Sequence, residues 1–230
     1  MLFIVWGFRR FVYNKSVVKG ESFMDLNIKI NKHSSICVDN DIYFDPYGIT
    51  GHQKNAKVIF ITHSHYDHLD MPSIKNIFNE DSVIVGPKDA IDMLREEGYD
   101  DENLKVVKPF ESGVAYDIEF ETFPSYNLNK KFHPKDNGWV GYTIVSKNIK
   151  YTVCGDSDNT PELNNIKTDV LFVPVGGTYT MTADEAATLT NNICPKVAIP
   201  VHYGSIVGSQ PDGQKFCDNI NNSIKTIKLI

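Results

Sequence analysis

At 230 residues the chain has room for one well-cored domain, and its 41% hydrophobic and 23% charged residues are those of a globular protein, not a disordered or fibrous one. Its 23 basic against 29 acidic residues leave a formal charge of -6, which argues against a nucleic-acid partner, whose affinity comes from lysine and arginine. The four cysteines, Cys37, Cys154, Cys194 and Cys217, are far apart and form no CxxC pair, so neither a disulfide framework nor a thiolate zinc knuckle is expected, and a reducing cytoplasm is the expected compartment.

The chain opens with MLFIVWGFRRFVYNKSVVKG. The apolar run at 2–8 is far shorter than the roughly 20 residues that span a bilayer. Arg9 and Arg10 follow that run instead of preceding it, and no small-residue cleavage site appears, so a signal peptide is a poor reading. Residues 1–23 are expected to be a peripheral extension, or the product of a start codon assigned too early, without a stable membrane anchor. Residues 24–230 are expected to form the folded domain.

From Asp25 the segments DLNIKI, SSICV and DIYFD alternate as short strands between polar turns. KVIFIT (57–62) is a continuous apolar run of the kind buried on both faces of a sheet. MPSIKNIFNE has helical spacing with a proline near its start, where a missing N–H does no harm. SVIVG then reads as a strand, PKDAIDMLREEG as a helix and LKVV as a strand. AYDIEFETF alternates like an edge or half-exposed strand, followed after a polar loop by the strands WVGYTIVS and IKYTVC. DVLFVPV, the helix TADEAATLTNNI, the strand KVAIPV, the helix DGQKFCDNINN and a last strand in IKTIKLI complete the chain. Thr182 and Glu185 fit a capping box. Strands this apolar need helices over their outer faces, so a layered α/β domain with mixed sheets is expected.

The chemistry is concentrated in THSHYDHLD (62–70), which holds three of the seven histidines and two aspartates. Clustered imidazoles and carboxylates are costly to bury unless something satisfies them, and a metal ion does. In an extended segment residues i and i+2 point the same way, so His63 and His65, directly after KVIFIT, can converge on one ion. Asp67 and His68 fall where the chain turns toward a helix and can reach a second. Imidazole and carboxylate suit zinc, iron or manganese. The competing reading is a polar loop with casual histidines.

The motif is preceded by KHSSI and IYFDPYG and followed by YTVCGDSD, VPVGGTYTM and IPVHYG. With these pieces the sequence, from Asp25 to its end, resembles the metallo-β-lactamase superfamily, and within it the ascorbate-6-phosphate lactonase-like branch. The resemblance implies a four-layer αββα sandwich with a dinuclear metal site at one edge. It also implies His63 and His65 as ligands of the first ion, Asp67 and His68 as ligands of the second, Asp156 as the bridge, and His202 as completing the second site. Taken alone, Asp156 also reads as a helix N-cap before TPEL, and His202 as a core histidine satisfied by backbone.

The superfamily's third histidine on the first ion has no obvious counterpart. TFPSYNLNKKFHP places Asn127 there, and His133 is the only histidine in the region. Either His133 reaches in from a longer loop, or Asn127 and water leave the first site weaker. His33 either lies near the site or packs beneath it, and His52 reads as a surface loop residue. Asp45 either orients a ligand imidazole or is an ordinary turn residue before proline. Tyr179 and Thr180 could present hydroxyls to a substrate, and the paired glycines at 176–177 suggest close backbone approach.

The implied activity is hydrolysis of a small ester, lactone or phosphoester by a hydroxide activated between two divalent ions, zinc first and manganese or iron as alternatives. Asp67 and Asp156 are the candidate catalytic carboxylates, as proton acceptors. A phosphodiesterase or nuclease of the same superfamily and a non-catalytic metal-binding protein are the rivals. The expected partner is a small-molecule substrate.

Overall fold

The computed structural model describes residues 24–230, so the expected extension at 1–23 lies outside the described residues. Among the described residues thirteen strands form two mixed sheets. The first runs β1 (Ile28–Ile30), β2 (Ile36–Val38), β3 (Ile42–Phe44), β4 (Val58–Phe60), β5 (Val83–Gly86) and β6 (Leu104–Val106), adjacent in that order. The second contains β7 (Ser112–Ala115), β8 (Ile118–Pro124), β9 (Val140–Ser146), β10 (Ile149–Val153), β11 (Val170–Pro174), β12 (Val197–Val201) and β13 (Lys225–Thr226), in the order β13-β12-β11-β10-β9-β8-β7. Strands β3 to β6 are mutually parallel, as are β10 to β13.

The period-two alternation of the strands builds the layers. Ile42, Phe44, Val58 and Phe60 point into a core shared with Tyr142, Ile144, Phe172 and Ile199 of the opposite sheet. Their neighbours Tyr43, Ile59 and Ile61 point outward and are covered by Ile74 and Ile77 of α1 (Met71–Ile77) and by Ile91 and Leu94 of α2 (Lys88–Glu96). On the far side Leu171, Val173 and Ala198 are covered by Ala186, Leu189 and Ile193 of α3 (Ala183–Ile193) and by Phe216 of α4 (Gln210–Asp218). Three apolar seams between four layers make the αββα sandwich that the family resemblance implies.

The sequence signals hold at most element ends. Asp70 caps α1 by accepting from Ser73 N, with proline in the first turn, and Thr182 and Glu185 form the capping box of α3. One strand begins later than its pattern suggests. In AYDIEFETF the strand is β8, from Ile118, alternating as expected, while Ala115 ends β7 and Tyr116-Asp117 form the hairpin turn between them, with Tyr116 at φ 58°. No helix among the described residues is long and apolar enough to cross a membrane.

Candidate metal centre

The parallel strands of both sheets end at one edge, and the loops that leave them carry the candidate residues. His63, His65, Asp67 and His68 follow β4, His133 lies on the loop after β8, Asp156 follows β10 and His202 follows β12. Two close backbone approaches make this convergence possible. Gly155 takes φ +65°, and a Cβ there would lie 2.8 Å from Ser125 Oγ. A Cβ on Gly176 would lie 2.3 Å from the His202 carbonyl oxygen, so glycine at this position lets the loop pass close against the His202 backbone.

One ligand-capable atom from each of His63, His65 and His133 lies within 4.8 Å of the others. His133 is therefore brought to the first group, and Asn127 stands behind it. Asn127 Oδ1 lies 3.1 Å from His133 Nδ1 and 3.2 Å from its backbone N, while Nδ2 donates to the Tyr179 carbonyl at 2.9 Å. The amide fixes the ring so that Nε2 turns toward the centre.

A second group joins Asp67, His68 and His202 with His33. Asp67 Oδ2 lies 3.3 Å from His33 Nε2, 3.8 Å from His68 Nε2 and 3.9 Å from His202 Nε2. Asp156 stands between the groups. Its Oδ1 is 3.3 Å from His68 Nε2, and its Oδ2 is 2.9 Å from His202 Nε2 and 3.4 Å from His133 Nε2. It caps no helix.

These side chains are buried, yet the Nε2 atoms of His33, His68, His133 and His202 and the Oδ1 of Asp156 make no hydrogen bond. His202 is not satisfied by backbone either, since its Nδ1 also lacks a partner. Several buried imidazoles that face only one another and two shared carboxylates call for a shared cation. The donor set of imidazole and carboxylate fits a divalent transition metal.

The electrostatics agree. Burial lowers the pKa of His63, His65 and His133, the last to about 4, so the first group offers neutral imidazoles. Burial also opposes charge on His68, but Asp156 and Asp45 outweigh it and raise its pKa well above the histidine range. Asp156 is held well below the carboxylate range, because His202 and His68 overcome its burial. An ion facing the same carboxylates would take over the role of the His68 proton.

Three residues acquire a place that spacing did not give them. His33 is one of the buried imidazoles, its ring centroid 3.8 Å from that of His202 and its Nδ1 3.2 Å from Ser205 Oγ. Asp45 receives His68 Nδ1 and is no ordinary turn residue. Trp139 lies against all three rings of the first group, with centroids 4.9 Å from His63, 4.8 Å from His65 and 5.5 Å from His133. Its indole N–H donates to Asp89 at 2.8 Å, and the same carboxylate oxygen accepts from Ser64 Oγ. His33, Asp45 and His202 all adopt positive φ, at 58°, 44° and 60°, strain that concentrates at functional sites. His52 is exposed, and Thr180 Oγ1 is buried without a partner.

A family model described as the beta-lactamase superfamily domain matches residues 28–202. A UPF0173 protein of Pyrococcus abyssi is 30% identical over 179 residues, covering 76% of this chain and 80% of the relative. A UPF0173 metal-dependent hydrolase of Bacillus licheniformis is 25% identical over 228 residues, covering 86% of this chain and 94% of the relative. A crystal structure from Parabacteroides distasonis superposes with a TM-score of 0.74 at 27% identity, covering 88% of this chain and 92% of that one.

Proposed function

We propose, for a chain that belongs to the metallo-β-lactamase superfamily and is a metal-dependent hydrolase of the UPF0173 family, that its two histidine groups hold two divalent ions, zinc first among them, and that the centre hydrolyses a small carboxylic ester or lactone. The observation that carries this reading is the set of orphaned Nε2 atoms and the orphaned Asp156 Oδ1, which converge from both sheets.

His63, His65 and His133 would hold the first ion, and Asp67, His68 and His202 the second, with Asp156 shared because its two oxygens face both groups. Bound ions would supply an activated water and a polarised substrate oxygen near neutral pH, so no serine or cysteine nucleophile is required. Asp67 would take the water's proton. Burial disfavours its charge, but the His33 contact and nearby His68 lower its pKa, so it stands ionised at neutral pH. Trp139 walls the first group and keeps bulk water from that side.

An uncharged ester or lactone is favoured over a phosphoester by the available cations. The sole arginine among the described residues, Arg95, is bonded to Asp92 and Asp101, and Lys130 is held by Asp158, so no free guanidinium fork is offered to a phosphate. The test is hydrolysis of simple esters and lactones by purified protein, before and after chelation. Activity that disappears with chelator and returns with zinc is expected, and activity that survives complete metal removal would contradict the reading.

A further inference from the structure

Large apolar side chains that nothing among the described residues covers stand next in sequence to the residues of the centre. Tyr66 is 66% exposed, Leu128 57% and Phe132 48%. Each stands one residue from the site: Tyr66 between His65 and Asp67, Leu128 after Asn127, and Phe132 before His133. Tyr179, half-buried, joins them from a third loop, tied through its carbonyl to Asn127. The Phe132 and Tyr179 rings meet edge to face at 4.5 Å, and Tyr66 meets Tyr47 at 6.4 Å.

The fold gives no reason for this rim, because these side chains belong to none of the three apolar seams. Single exposed apolar residues are ordinary, but several on separate loops around one polar cluster mark a place where apolar surface is covered in function. The cations near the rim are few. Lys130 is paired with Asp158, Lys32 lies over the Tyr47 ring at 5.1 Å, and Lys131 is exposed.

We propose that the substrate is an ester whose acyl group is apolar, and that this arm lies against Tyr66, Leu128, Phe132 and Tyr179 while the carbonyl reaches the centre. The proposal rests on the hydrolase reading and narrows it. In the reaction the carbonyl carbon gains the oxygen of water and its C–O bond to the leaving alkoxide breaks. The proton taken by Asp67 passes to the alkoxide, so an apolar carboxylic acid and an alcohol are released. The rim supplies no atom to the reaction; it sets which acyl groups are held.

The test uses the zinc-loaded full chain and p-nitrophenyl esters of acetate, butyrate, hexanoate and octanoate, with bis-p-nitrophenyl phosphate alongside. A methylene removed from water is worth about fourfold in a binding constant, so kcat/KM is expected to rise about two- to fourfold per methylene, mainly through KM. Phe132→Ala and Tyr66→Ala, separately and together, are expected to lower the octanoate-to-acetate ratio of kcat/KM about tenfold. Metal content, measured in each variant, is expected to match the parent, because neither side chain is among the converging groups.

A flat or falling series, variants that keep the parent's ratio, or preference for the phosphodiester would overturn the apolar-arm proposal and leave the metallohydrolase reading standing. No hydrolysis of any carboxylic ester or lactone by metal-loaded protein would overturn both the apolar arm and the ester-or-lactone reading.

Discussion

Asp45 Oδ2 lies 2.7 Å from Nδ1 of His68, and the same carboxylate takes the backbone N–H of Thr62 at 2.8 Å and its hydroxyl at 2.7 Å. The Thr62 hydroxyl is 3.0 Å from Nδ1 of His63. One buried carboxylate thus reaches an imidazole of each group, His68 directly and His63 through Thr62. Engaging Nδ1 turns Nε2 toward the centre and fixes the tautomer, which is how partners behind ligand histidines raise metal affinity.

Asp45→Asn keeps the shape but loses the charge that makes Nδ1 a firm donor. Affinity for the ion at His68 is expected to fall about 10–100-fold with the fold retained. Chelator competition on parent and variant measures it, with circular dichroism as the control. Equal affinities would show that Asp45 only closes a strand.

Asp156→Ala removes the carboxylate that faces both groups, so occupancy of both ions and hydrolysis should be lost together. A mere structural contact would behave otherwise. The variant would then melt lower yet bind the same amount of metal, and that outcome would contradict the bridging role.

Acid should empty the two groups in order. Lowered pKa values at His63, His65 and His133 mean that protons compete for the first group only well below neutrality, whereas the raised pKa of His68 lets a proton compete for the second at higher pH. As pH falls from neutral, the second ion is expected to leave first, giving a one-ion intermediate near mild acidity. Metal content after dialysis at a series of pH values checks this, and simultaneous loss of both would count against it.

The cysteines offer a check on the packing alone. Burial raises the Cys37 thiol to about 11 and the Cys154 thiol further, so thiolate is scarce at both, whereas Cys194 is exposed. At pH 8 a thiol reagent should label Cys194 quickly in the folded protein, and Cys37 and Cys154 only after unfolding. Rapid labelling of Cys154, located by peptide mass mapping, would mean that the strand before Asp156 is not packed as described.

Much of this was legible in the sequence because its signals are local. The continuous apolar run KVIFIT announces a strand buried on both faces, and H-x-H-x-D-H needs only one strand end and one turn. What stayed open depended on distant segments. His33 meets His202 only because the β1–β2 turn of one sheet faces the end of β12 in the other. His133 could not be chosen over Asn127 by spacing, since the loop reverses on itself, with Asn127 N bonded to the His133 carbonyl at 2.8 Å, and brings both residues to one point. The β7–β8 hairpin escaped notice because its two-residue turn is Tyr116-Asp117, with the tyrosine at φ 58°, in place of the Asn-Gly or Asp-Gly that usually signals such a turn.

If this edge of the sandwich is a two-ion centre, bound metal is its plainest signature. Elemental analysis of purified protein, stripped and reconstituted with zinc and then freed of loosely bound metal, tests it most directly. About two ions per chain, falling toward none in Asp156→Ala, is the predicted result; at most a trace of metal in the reconstituted parent would contradict the account.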